Sequence, residues 1–223
     1  MTSLASPNRA TVEALVRSSL LRQIGREASA EPAPTLVVNS SARHMHISPE
    51  NLETLFGPGA KLTVHKWLYQ EGQFASEQTV TLIGPRRRVI PSLRILGPCR
   101  NLTQIELAIT DAIQLGMDIP VRMSGDIQGT PGGYVMGPKG MLEMKDGLIR
   151  AARHVHMSPA DAKFYSVKHL DRITLKVTSP YCDTRFDDLI VRVDPSFKLE
   201  VHMDTDEANA CDLERATKVE LLK

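Results

Sequence analysis

Ala42-Arg43-His44-Met45-His46-Ile47-Ser48-Pro49 recurs as Ala152-Arg153-His154-Val155-His156-Met157-Ser158-Pro159, offset by 110 residues at every position. Chance is a poor explanation for such a repeat. A duplicated domain of about ninety to a hundred residues accounts for it better than a solenoid, whose periods are shorter. In a strand, residues i and i+2 point to the same side, so His44 with His46, and His154 with His156, can each grip one ion. On a helix the same pair would diverge by ~200°. Ser48 and Ser158 are good N-caps, proline suits the first helical position, and Ser158-Pro-Ala-Asp161 fits a capping box. Each copy therefore predicts a strand that runs into a helix start, with two imidazoles just ahead of a positive helix end that favours anions.

Outward from the repeats, Thr35–Val38, Lys61–Val64, Thr79–Ile83, Ile173–Val177, Leu189–Val193 and Lys198–Met203 read as strands. Helical patterns are few: Pro49–Phe56, Thr103–Leu115 and Pro159–Tyr165. Ser124–Gly140 is rich in glycine and reads as a loop system. The expected class is mainly β with short helices, as β-barrels or sandwiches. With the duplication, it becomes a first domain over 36–145 and a second over 146–223, with strands open to exchange between them.

The first residues differ. Val12, Leu15, Val16, Leu20 and Ile24 fall at helical spacing among Arg17, Arg22 and Arg26, and Ala28–Pro34 is a small-residue, proline-bearing stretch. Residues 1–28 are expected to form an amphipathic docking helix and 29–35 a linker, with another protein as partner. The arginines break any continuous signal-peptide core. A net charge of +1 and 4% aromatic residues argue against a nucleic-acid binder. No run reaches the ~18 apolar residues of a membrane span. Cys99, Cys182 and Cys211 form no CxxC pair, which fits a reducing compartment, so a soluble cytosolic protein is expected.

Paired imidazoles suit zinc, and by donor type also copper, nickel, cobalt or iron; a zinc site needs a third protein ligand and, if catalytic, an open fourth position. For the second pair the candidate is His202. For the first pair it is Glu106, with Glu77 as the alternative. His65 and His169 read as surface or core residues, and Cys99 and Cys211 as buried thiols. Arg100, on a turn after Gly97-Pro98, is a natural fork for phosphate, although on its own an exposed salt bridge is the commoner reason for an arginine there. Arg86-Arg87-Arg88 reads as a solvated hairpin. There is no GxGxxG after a strand, no HExxH and no HxHxDH.

The paired ARHxHxSP segments, Ile95-Leu-Gly-Pro98 with Arg100, Thr103-Gln-Ile-Glu106, Thr110-Asp-Ala112, Arg122-Met-Ser-Gly125 and Asp204–Asn209 together resemble the PduL-type phosphate acyltransferases, or phosphate propanoyltransferases, of bacterial microcompartments. The resemblance implies two small duplicated β-barrel domains with a metal site between them. It implies reversible acyl transfer between coenzyme A and inorganic phosphate, with two zinc ions per chain. One zinc would sit on His44, His46 and Glu106, the other on His154, His156 and His202. Arg100 would hold phosphate, and Ser124 would lie near the sulfur end of coenzyme A. The N-terminal helix would then be an encapsulation peptide that meets shell or cargo proteins, and the protein a homo-oligomer in the microcompartment lumen.

Overall fold

The computed structural model describes residue 13 and residues 33–223; the docking helix and most of the linker expected at the N-terminus lie outside the described residues. Thr35–Lys223 packs as one compact unit. It is mainly β, with four short α-helices on two curled half-barrel sheets.

Both repeats fold as expected. The strand β2 (His44–His46) leads into helix α1 (Pro49–Phe56), and β11 (His154–Met157) leads into α3 (Pro159–Phe164). Ser48 Oγ accepts from Asn51 N at 3.3 Å, and Ser158 Oγ accepts from Asp161 N at 3.2 Å. Asp161 returns the capping box by accepting from Ser158 N at 2.9 Å. The apolar residues between the histidines point the opposite way and are fully buried: Met45 in one core, Val155 in the other.

Around β2, the strands β4 (Phe74–Ile83), β5 (Val89–Gly97), β6 (Gln104–Glu106), β7 (Val121–Arg122), β8 (Gly133–Met136), β9 (Met141–Met144) and β10 (Leu148–Ala151) run in the order β7-β10-β6-β2-β5-β4-β8-β9. The strand β3 (Val64–Trp67) joins this sheet beside β4. Around β11, the strands β1 (Val37–Ser41), β12 (Arg172–Thr178), β13 (Thr184–Val193), β14 (Glu200–Asp204) and β15 (Lys218–Leu222) give β1-β14-β11-β13-β12-β15. Each half of the chain thus lends a strand to the other's sheet. β1 pairs in parallel with β14, and β10 pairs in parallel with β6 and β7.

Three local expectations need correction. Thr103–Leu115 is not one helix: Gln104–Glu106 is the strand β6, and helix α2 spans Ile109–Leu115. Pairing with β2 and β10 holds those residues extended whatever their local preference. The glycine-rich loop contains β8, because Gly132 and Gly137 let it lie against its neighbours. A Cβ at Gly132 would stand 1.9 Å from Met144 O, and one at Gly137 would stand 2.5 Å from Leu55 O. The run expected from Lys61 becomes a strand only at Val64.

Candidate metal and anion centre

The duplication extends to the register. His44 faces Glu106 across the antiparallel pair β2–β6, and His154 faces His202 across β11–β14. One metal-ligating atom from each of His44, His46 and Glu106 lies within 4.8 Å of the others, and the same holds for His154, His156 and His202. In the first group Glu106 Oε2 is 3.5 Å from His44 Nε2, and Oε1 is 3.8 Å from His46 Nε2. In the second, the ring centroids stand 4.6 to 5.0 Å apart. Glu77 is elsewhere: exposed on β4, it sits 3.0 Å from His65 Nδ1. His169 Nδ1 accepts from Val193 N at 3.1 Å, and neither Cys99 nor Cys211 joins either group.

In each group the first imidazole presents a lone pair at Nε2, and in the first group His46 Nε2 donates to that of His44 at 3.1 Å. His44 Nδ1 donates to Ala42 O, and His154 Nδ1 donates to Ala152 O, each at 2.9 Å. A carbonyl only accepts, so the proton sits on Nδ1 and Nε2 is left with its lone pair outward. Neither ring nitrogen of His156 has a hydrogen-bond partner among the described residues, and the ring stacks on Phe197 at 4.0 Å. Burial, then the charge of His202, pushes His154 down to about 4; the same two causes, with His154 behind them, push His156 down to about 2. Burial and His44 lower His46 as well. Burial alone would raise Glu106, but His44, the Ser124 hydroxyl, His154 and Arg100 outweigh it and hold the carboxylate ionised. Neutral imidazoles beside an anionic carboxylate are the donor set a divalent cation requires.

Several supporting residues carry no obvious signal in the sequence. Gln104 is fully buried; its Nε2 donates to Glu106 Oε1 at 2.7 Å and Ser124 Oγ at 2.8 Å, while its Oε1 accepts from Gly125 N at 2.7 Å. Its counterpart in the other sheet is Glu200, which accepts from Asn39 at 3.1 Å and Gln70 at 2.6 Å and lies 3.1 Å from His202 Nε2. An amide stands beside the acidic third residue, and an acid beside the basic one. The arginines of the repeat have matching partners. Arg43 pairs with Asp111 at 2.6 Å, and Arg153 pairs with Glu207 at 3.0 Å. Asp111 also caps Ala108 N at the start of α2, and Glu207 caps Asp204 N at the start of α4 (Thr205–Ala210). Each arginine so ties its histidine strand to the helix that follows the third residue of the triad. The repeated Arg was the visible signal; its partners, one Asp and one Glu, were not.

Both triads, Arg100, Ser124, Arg192 and Phe197 line one cavity of ≈ 680 Å³. Arg100 N donates to Ile47 O at 2.9 Å, which pins its turn beside the end of β2. Its guanidinium makes no hydrogen bond or ion pair among the described residues.

The model of the family described as phosphate propanoyltransferase matches residues 37–214, almost all of this architecture. The chain belongs to the phosphate propanoyltransferase family. It is 55% identical over 224 residues to the phosphate propanoyltransferase of Planctopirus limnophila, covering 97% of this chain and 92% of the relative. The Thermotoga maritima phosphate propanoyltransferase is 50% identical over 177 residues, 79% of this chain and 84% of that one. The Salmonella typhimurium one is 43% identical over 192 residues, 86% and 89% of the two chains. As a phosphate propanoyltransferase family member the chain is an acyltransferase, and acyl-CoA and phosphate are the substrates that fit.

Proposed function

We propose that the chain transfers a short acyl group, propanoyl or a near homologue, reversibly between coenzyme A and inorganic phosphate. One zinc ion would be held by His44, His46 and Glu106, and a second by His154, His156 and His202. The carrying observation is that two ligand sets of the same build open, together with an unpaired arginine, into one cavity. Zinc bound there supplies Lewis acidity toward a carbonyl oxygen and favours the thiolate of coenzyme A.

The chain's own residues do the rest. Arg100 offers a planar fork to phosphate and holds it in place, so that attack on the thioester becomes effectively unimolecular. Ser124, held by Gln104 on the cavity wall, would lie near the sulfur end of coenzyme A. The Nδ1 bonds to Ala42 and Ala152 keep two imidazoles in the ligating tautomer. Residues 1–28 would dock the enzyme to a microcompartment shell or to a second copy, placing it in the microcompartment lumen.

Thiol release from propanoyl-CoA, measured with and without phosphate, tests the reading. Release that needs phosphate and yields acyl phosphate supports it. Release at the same rate without phosphate makes the protein a hydrolase, and no release from zinc-loaded protein removes the enzymatic reading.

A further inference from the structure

We infer that Arg192 is a second anion-binding residue of the cavity, gripping the phosphoryl oxygens of inorganic phosphate, or of the acyl phosphate, together with Arg100. The inference rests on the acyl-transfer reading above and extends it to a residue on the opposite sheet. Arg192 stands on β13 directly beside His156 on β11, on the wall that carries the second triad. Its guanidinium lies 5.9 Å from the centroid of Phe197, the ring that stacks on His156. Among the described residues it makes no side-chain hydrogen bond or ion pair.

The contrast with its neighbours is informative. Arg43, Arg150 and Arg153 flank the triads, and each is neutralised by Asp111, Asp204 or Glu207. Of the arginines that line the cavity, Arg94 donates to Ser76 O, whereas neither Arg100 nor Arg192 makes a side-chain hydrogen bond or ion pair among the described residues. Burial lowers the proton affinity of both, and the charge of Arg192 lowers that of Arg100 further, although Glu106 attracts each. Arg192 stands in register with His156 and Arg100 lines the same cavity, so the two guanidiniums share one space. Two half-buried, mutually repelling cations are costly to fold around, and a tetrahedral dianion between them relieves the cost. His156 and Phe197 flank Arg192 at the reacting centre, and Glu106 and Asp194 act on it through charge without pairing with it. The phosphates of coenzyme A are set off from its sulfur by the whole pantetheine arm. Arg192 therefore meets the small phosphate.

The test uses the zinc-loaded full chain with Arg192→Met and Arg192→Lys. Calorimetric titration with inorganic phosphate reads binding, and initial rates read KM for phosphate and for propanoyl-CoA separately. Phosphate affinity should weaken, and the phosphate KM rise, by about tenfold or more in Arg192→Met. The propanoyl-CoA KM should stay within about twofold, and Arg192→Lys should recover part of the loss. Unchanged phosphate affinity in Arg192→Met, or a change confined to the propanoyl-CoA KM, would overturn the inference. A wild type that binds phosphate yet makes no acyl phosphate would sink the acyl-transfer reading alone, and the titration would still decide Arg192.

Discussion

Replacing Gln104 by glutamate exchanges one heavy atom and reverses the logic of the first triad. Gln104 Nε2 donates to Glu106 Oε1 at 2.7 Å, so Gln104→Glu sets an oxygen acceptor against an oxygen acceptor in a fully buried position. Two carboxylate charges about 4 Å apart repel by about 4 kcal/mol at an effective dielectric of about 20. That equals about three pKa units, so the pair would keep one proton near neutrality. An acid whose folded pKa is raised contributes stability below its unfolded pKa and loses it as pH rises through the folded one. Metal-stripped Gln104→Glu should therefore fall further below wild type at about pH 8 than at about pH 5, by about 2–4 kcal/mol. Gln104→Met is the control. It forfeits three hydrogen bonds at every pH, for about 2–4 kcal/mol with no added pH slope. Urea unfolding of the three proteins at the two pH values reads both quantities as differences from wild type, which cancels the imidazoles. If Gln104→Glu and Gln104→Met show the same pH slope, the electrostatic reason for an amide beside Glu106 is wrong.

Other outcomes follow from the same geometry. Arg100→Ala should collapse turnover or raise the phosphate requirement about ten- to two-hundredfold while both metals stay bound; wild-type phosphate kinetics would refute the assignment. Metal-stripped protein should lose stability as pH falls from about 6.5 toward about 4. The unfolded imidazoles take up protons there that the buried His154 and His156 refuse, so a thermal midpoint flat across that window would contradict their burial as neutral groups. A chain starting at Thr35 should keep metal and acyl transfer, since every proposed ligand follows it, but form smaller assemblies on size exclusion; lost folding would make residues 1–34 part of the catalytic unit.

The sequence carried the parts of the site that are local. An alternating His-x-His followed by Ser-Pro prescribes strand, cap and helix within eight residues, and both copies fold that way. His202 was visible because its flanking residues alternate as a strand. Glu106 could be named but not separated from Glu77, because what separates them is the β2–β6 register, a contact across sixty residues of chain. Gln104–Glu106 read as helix for the same reason: its extended form comes from strands on either side. The crossing of β1 and β10 between sheets leaves no local mark at all. Arg192 was invisible because an arginine on a strand is commonplace; only the lack of an ion pair among the described residues, at a position lining the cavity, sets it apart.

A zinc titration examines directly whether the two metal sites act as one centre. Stripped full-length protein is given increasing zinc while acyl phosphate formation from propanoyl-CoA and phosphate is followed. The two triads predict no activity without metal and a plateau at two zinc ions per chain. Full activity in the stripped protein, or a plateau at one zinc that further metal does not change, would contradict the two-metal centre.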